Sequence, residues 1–337
     1  MTEKKNEVLL KLENLKMYFD IPGKGKLHAV DEIKLEIMPH ETLGLVGESG
    51  CGKSTVGYLT VRLLNATGGN IYFEGKDMLK ASRKDLVEYT KKAQMIFQDP
   101  YSSLNPSKTI RSILSVPFAV NKLAKGKAVN KQVEKLAEKV GLEPYVLDMF
   151  PHELDGGKRQ MVGIARALAV NPQLIVCDEP VSALDVSVQA TIINLLIDTQ
   201  KEMGFSYLFI SHDLSVVRHI SNHVAVMYLG QIVEVAPTDT IFADTLHPYS
   251  IALLSAVPNL EFSGASNRIV LSGDVPSPLN PKPGCRFAPR CWMAKEKCFA
   301  ETPLLVEAQA GHQVACHYWQ NSRESAATFV QTPKGSD

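Results

Sequence analysis

With 337 residues, 45% hydrophobic and 21% charged, the chain is long enough for one sizeable core plus a smaller module, and it has the balance of a soluble globular protein. Lys plus Arg and Asp plus Glu number 36 each, so the formal net charge is zero and no broad basic footprint for nucleic acid is indicated. No apolar run reaches the roughly 18 residues a spanning helix needs; the charged, amphipathic start MTEKKNEVLLKLENL does not read as a signal peptide, so a cytosolic chain is expected, with any membrane role arising through partners.

Residues 8–20 alternate apolar and polar, as a half-buried strand does. After the turn PGKGK, residues 28–37 (HAVDEIKLEI) read as a second strand. Thr42–Val46, an apolar run before Gly47, reads as a buried strand, and residues 70–74 (NIYFE) as a hairpin strand bounded by glycines. Val129, Val133, Leu136 and Val140 recur at helical spacing with Gly141 as a stop, and residues 109–170 read as mostly helical. Strands are expected at 174–177, 205–210 and His223–Tyr228, with a helix over 187–203 stopped by Gly204. This alternation argues for an α/β fold with a mainly parallel sheet. After about residue 256, Pro and Gly become dense (PSPLNPKPG), which marks a separate small module, 256–320; the polar stretch 321–337 reads as a disordered tail.

GESGCGKST contains Gly47, Glu48, Ser49, Gly50, Cys51, Gly52, Lys53, Ser54 and Thr55, and fits the G-x4-G-K-[ST] pattern between an apolar strand and a helix-compatible run. Glycines let the backbone curl so that N–H groups converge on phosphate oxygens, and the helix N-terminus adds its dipole. Lys53 would reach the β- and γ-phosphates and Ser54 would offer a hydroxyl to Mg²⁺. A plain glycine turn before a helix is the competing reading, and it leaves the Lys-Ser pair unexplained. The acid such a site needs appears at the end of LIVCDEP: Asp178 can hold Mg²⁺ through water, and Glu179 can polarise an attacking water.

At this point the chain, from about residue 8 to 255, resembles the nucleotide-binding subunit of an ATP-binding-cassette transporter. Gln98 in QMIFQDPYSSLNP resembles the Q-loop, PHELDGGKRQMVGIARAL the signature segment and its helix, SALD ending at Asp185 the D-loop, and His212 in FISHDLSVV the switch histidine. The resemblance implies a P-loop cassette ATPase at 1–255 with a RecA-like core, an antiparallel β subdomain and a helical subdomain at about 100–170. It implies two such domains closing head to tail around two ATP molecules. Glu179 would then be the base for water, His212 would hold the γ-phosphate side of the transition state, and Gln98 would touch Mg²⁺ (with Ser54 and Asp178) or water. Asp185 would communicate across the dimer, and an aromatic, Phe19 or alternatively Tyr18, would stack on adenine. HPYSIALLSAVP and VPSPLNPKPGCRFAPRC further resemble the C-terminal extension of the oligopeptide/dipeptide importer branch. That implies a second, homologous ATPase subunit in a heterodimer, two transmembrane permeases and an extracytoplasmic substrate-binding protein, with this chain peripheral on the cytoplasmic face of the membrane. A soluble cassette ATPase of DNA repair or translation is the competing class, but neither tandem cassettes nor a long coiled-coil insertion is present. A subunit with mainly regulatory ATP binding is the other alternative.

Four of six cysteines crowd together as Cys285-x5-Cys291-x6-Cys298-x17-Cys316. In a reducing cytosol such a group suggests metal more than disulfides. By themselves the residues leave iron–sulfur, zinc and unligated thiols open. The resemblance implies a [4Fe–4S] cluster on these four, with His312 and His317 as surface histidines that could replace a ligand in a zinc version.

The signature departs from the family's L-S-G-G-Q: Leu154 is followed by Asp155, Gly156, Gly157 and Lys158, and Met161 stands where Arg is common. Asp caps a helix as well as Ser does, so the helix is expected to form. For phosphate binding the carboxylate is adverse, because two unit charges about 4 Å apart repel by about 4 kcal/mol at an effective dielectric of 20. Lys158, one turn on, would offset part of this. The expectation is an unequal pair, in which this chain's own loop, Glu179 and His212 hydrolyse ATP while the site facing Asp155 turns over poorly.

Overall fold

The structure is a computed structural model and describes residues 8–256, 269–271 and 273–331. The chain opens with β1 (Leu10–Ile21) and β2 (Gly25–Ile37), the long antiparallel pair that the alternation predicts. Then β3 (Thr42–Val46), every residue of it buried, feeds α1 (Lys53–Thr60). β4 (Gly68–Phe73) and β5 (Lys76–Asp77) complete an antiparallel sheet of order β2-β1-β4-β5. α2 (Arg83–Lys92), unassigned by the sequence reading, starts at a capping box of Ser82 and Asp85 and runs directly into β6 (Ala93–Ile96).

The helical stretch consists of α3 (Pro100–Ser103), α4 (Ile110–Val120), α5 (Lys127–Lys139) and α6 (Gly156–Leu168). Val133, Leu136 and Ala137 form the buried stripe of α5, which packs on α4 and α6. After it come β7 (Leu174–Asp178), α7 (Val186–Met203), β8 (Ser206–Ile210), α8 (Leu214–Ile220), β9 (His223–Tyr228), β10 (Gln231–Pro237), α9 (Thr238–Ala243) and α10 (Pro248–Leu254). The C-terminal part holds α11 (Glu296–Ala300), β11 (Val306–Gln309), β12 (His312–Val314) and α12 (Ser322–Gln331).

The larger sheet has the order β11-β12-β10-β9-β3-β8-β7-β6. β9, β3, β8, β7 and β6 pair in parallel, and β10, β12 and β11 extend them antiparallel. β3, β7 and β8 are buried on both faces and therefore read as unbroken apolar runs rather than alternating ones. Their side chains nonetheless alternate between two cores. Leu43, Leu45, Val176 and Leu208 face the core under the antiparallel sheet, and Val46, Cys177, Tyr207 and Phe209 face the helical core.

Two expectations are corrected here. The C-terminal segment does not stand apart, since β12 pairs with β10 and β11 with β12, so it lengthens the main sheet. The tail is not disordered throughout: Ser322–Gln331 form α12, which packs on α10, buries Ala326 and stacks Phe329 on Trp292, with ring centroids 5.4 Å apart. Small and apolar residues in SAATF give this polar-looking stretch one face to bury. The remaining six positions of the tail, 332–337, lie outside the described residues.

Candidate active site

Parallel pairing determines where the site lies. In the order β3-β8-β7-β6 all four strands point the same way, so the loops leaving them gather along one sheet edge. Those loops carry Lys53 after β3, His212 after β8, Glu179 after β7 and Gln98 after β6. They line one cleft of about 640 Å³ together with Phe19, His28, Ser49 to Thr55, Leu229 and Pro278.

The phosphate loop needs glycine for a specific reason at two positions. A Cβ on Gly47 would lie 2.1 Å from the Met227 carbonyl oxygen, and one on Gly52 2.1 Å from that of Ala29, both backbone atoms. Gly52 caps α1 with φ 108°, and no side chain bonds the first-turn amides of the helix, so they remain donors for an anion. Lys53 Nζ curls over the loop, 2.8 Å from the Gly47 carbonyl and 3.0 Å from that of Glu48.

Ser54 Oγ donates to Asp178 Oδ1 at 2.8 Å. The second oxygen, Oδ2, is buried without a hydrogen-bond partner, a vacant acceptor that suits the hydration shell of a divalent cation. Burial raises the Asp178 carboxyl above its ordinary range and the charge of Glu179 adds to this, while Ser54 and Tyr58 pull the other way. Glu179 itself has φ 45°, a left-handed conformation rare for a side chain of its size. One of its oxygens, Oε2, accepts from Gln98 Nε2 at 2.9 Å and lies 3.1 Å from His212 Nδ1. The structure thus brings together Lys53, Ser54, Gln98, Asp178, Glu179 and His212. Of the two aromatic candidates, Phe19 lines the cleft, whereas Tyr18 stacks on His28 with centroids 3.9 Å apart and donates to Asp31.

The signature helix keeps its cap, as expected: Asp155 Oδ1 accepts from the Lys158 backbone N–H at 2.8 Å. The Lys158 ammonium does not pair with that carboxylate. Its ammonium turns to Tyr145 Oη at 3.0 Å and to Glu143 at 3.5 Å, because these acceptors flank its own face of the helix. The D-loop packs against the same turn, where a Cβ on Gly156 would lie 3.1 Å from the Leu184 side chain; Asp185 precedes α7 with its side chain exposed and not capping.

Cys285, Cys291, Cys298 and Cys316 line one small cavity with His247, Phe287, His317 and Tyr318. All four are free thiols, and burial pushes Cys291 up to about 12 and Cys316 up to about 11. Among the described residues no three His, Cys, Asp or Glu side chains are gathered as they would be around a metal ion. His312 is not a surface residue: it is fully buried, with Nε2 2.8 Å from Glu234 Oε1, and Glu234 also accepts from the Leu246 and His247 amides. His317 is half-buried, with Nε2 2.9 Å from the Glu301 carbonyl oxygen.

The sequence reading missed His28, Leu229 and Pro278 in the cleft wall, and Tyr249 and Arg290 behind the phosphate loop. Residues some 200 positions apart in the chain carry no mutual spacing signal; only tertiary contact unites them.

Fold and site define an ATP-binding cassette, and comparison with known proteins agrees. The family description "ABC transporter" matches residues 30–182, and "Oligopeptide/dipeptide transporter, C-terminal region" matches 233–298. The structure of the ATP-binding cassette MJ0796 in a post-hydrolysis dimer with ADP and Pi is 25% identical with a TM-score of 0.63, over 68% of this chain and 98% of that one. The oligopeptide transport ATP-binding protein AppF of Bacillus subtilis (strain 168) is 48% identical over 95% of this chain and all of its own length. The dipeptide transport ATP-binding protein DppF of Haemophilus influenzae is 45% identical over 94% of this chain and 98% of its own, and OppF of Salmonella typhimurium 46% over 92% and 96%. The chain belongs to the ATP-binding subunits of ABC transporters, in the oligopeptide/dipeptide family, and is an ATPase coupled to transport.

Proposed function

We propose that the chain powers import of oligopeptides, dipeptides or related small solutes through permease partners, from the cytoplasmic face of the membrane. Full-length similarity to peptide-transport ATPases supports the cargo class. No helix among the described residues is long and apolar enough to cross a membrane, in keeping with a peripheral subunit. Copurification with two permeases, and ATPase stimulated by a peptide-loaded external binding protein, is the expected result. Stimulation by a nickel chelate, glutathione or an oligosaccharide instead would reassign the cargo.

One observation carries the chemistry: a single Glu179 oxygen faces both Gln98 and His212 at the mouth of the phosphate-loop cleft. Phe19 stacks on the adenine, and the loop amides with Lys53 hold the phosphates. Ser54, Asp178 and Gln98 would hold Mg²⁺, which neutralises charge between the β- and γ-phosphates when bound. Glu179 takes a proton from the attacking water, which Gln98 helps to orient, and His212 steadies the γ-phosphate side. Exchanging Asp178 for Asn is expected to raise the Mg²⁺ needed for half-maximal ATPase by about ten- to a hundredfold. A magnesium titration of the assembled complex checks this.

The partner is a second, homologous ATPase. ATP on this chain's loop meets the partner's signature, and ATP on the partner's loop meets Asp155, Gly156, Gly157 and Lys158, with Asp185 linking the two. Asp155 offers this second ATP a carboxylate, and Lys158 is engaged elsewhere, so that site turns over poorly.

The four cysteines would hold a [4Fe–4S] cluster. Convergence of all four on one cavity supports this, although closing round a cluster would need local adjustment of the thiols. Because burial keeps the Cys291 and Cys316 thiols protonated, their ligation would release protons and be favoured by rising pH. Protein made without oxygen should be brown and carry about four irons per chain. Colourless protein with stoichiometric zinc would replace the cluster by a zinc site.

A further inference from the structure

Glu48 is part of the phosphate loop, yet its backbone N–H and its carboxylate are held by residues from much later in the chain. Its backbone N–H donates to Tyr249 Oη at 2.8 Å. Its carboxylate receives Arg290 Nη1 on both oxygens, at 2.9 and 3.2 Å, and the same nitrogen lies 3.5 Å from Tyr228 Oη. The Arg290 side chain is only 8% exposed and that of Glu48 31%, so the pair is more shielded than an ordinary surface ion pair. Behind it the rings of Tyr228, Tyr249 and Phe287 pack against each other with centroids 4.6 to 5.5 Å apart. Phe287 also lines the cysteine cavity, and Arg290 immediately precedes Cys291. A short rigid path therefore runs from the C-terminal extension to the loop that binds phosphate.

A loop built on glycines is conformationally free, and ordering it would otherwise fall to the nucleotide. A guanidinium fixed on Glu48 and a hydroxyl fixed on its amide place that cost in folding instead. The carboxylate has no need of a cation for solubility; it could reach water if Arg290 did not hold it.

We propose that Arg290, with Tyr249, is a positioning residue for ATP binding: it pre-orders the phosphate loop through Glu48, making the C-terminal extension part of the nucleotide site. The inference rests on the chain's being an ATPase and is independent of what the four thiols hold. In the assembled transporter, Arg290→Ala is expected to raise KM for ATP about five- to tenfold, the loss of one charge-assisted contact, with kcat changed less than twofold. Arg290→Lys should recover part of the affinity. Glu48→Gln, which leaves the extension untouched, should raise KM less, and the double variant should be no worse than Arg290→Ala alone. Metal content, whether iron or zinc, and melting temperature of each variant separate this role from damage to the cysteine region. Unchanged KM in both single variants would overturn the proposal, as would a kcat loss that tracks melting temperature or adds fully in the double variant. Should Arg290→Ala fail to fold, the Arg290→Lys and Glu48→Gln pair carries the same test.

Discussion

Replacing Glu179 by Gln in this chain alone is expected to lower ATP turnover of the assembled transporter by about a hundredfold or more, the usual worth of a positioned general base. The amide keeps the shape and can still meet Gln98, but it cannot take a proton from water. ATP binding should persist, so the variant should trap nucleotide rather than lose it. A matching substitution in the partner ATPase should cost little, because in the proposed pair its site would face Asp155. Steady-state hydrolysis and nucleotide retention, measured with each subunit altered in turn, check both halves. If most activity survives Glu179→Gln in this chain, the unequal assignment fails.

The second large effect is expected at Asp155. Substitution by Ser keeps an N-cap acceptor for the Lys158 amide, so the helix should not lose its start. It also removes a carboxylate from the helix N-terminus that, in the proposed pair, would face the γ-phosphate on the partner's loop. At an exposed position salt and solvent screen the repulsion, so a gain of about ten- to a hundredfold in ATP affinity at that site is expected rather than the full Coulomb figure. Single-turnover hydrolysis with Glu179→Gln in the background isolates the partner's site, and Asp155→Ser should restore turnover there. Asp155→Asn is the informative control, since it removes the charge and keeps the size.

Much of the catalytic edge is legible in the chain because it is built from short, contiguous pieces. Gly47 to Gly52 must be a loop, since two of its glycines meet backbone carbonyls where a Cβ would sit. Asp178 and Glu179 end a strand whose five residues are buried, so the acids mark where that strand leaves the core. The parallel strands β3, β7, β8 and β9 were readable for the same reason, since burial leaves unbroken apolar runs, whereas the short edge strand β6 was not. The antiparallel end of the sheet was not. β11 has mostly exposed residues and β12 only three positions, too short for any period to register. α12 was hidden by its polar composition, because its apolar contacts, Ala326 on α10 and Phe329 on Trp292, are few.

Lys158 illustrates the limit from the other side. Its place one turn after Asp155 suggests compensation, but a long side chain goes to whichever acceptors lie on its own face, here Tyr145 and Glu143. His312 does so too: a histidine near cysteines invites a ligand role, and instead Glu234, buried on β10, takes it.

By itself the sequence determined what is covalent or local: which backbone segments can curl round phosphate, where an acid follows a buried strand, and that Asp155 caps its helix. Only the tertiary structure decided which distant groups share an oxygen or a loop: Gln98 and His212 on Glu179, Arg290 and Tyr249 on Glu48. The physical reason is that local conformation follows from steric and hydrogen-bonding preferences within a few residues. Pairing across the fold follows instead from how two cores and one sheet edge pack, which no spacing in the chain records.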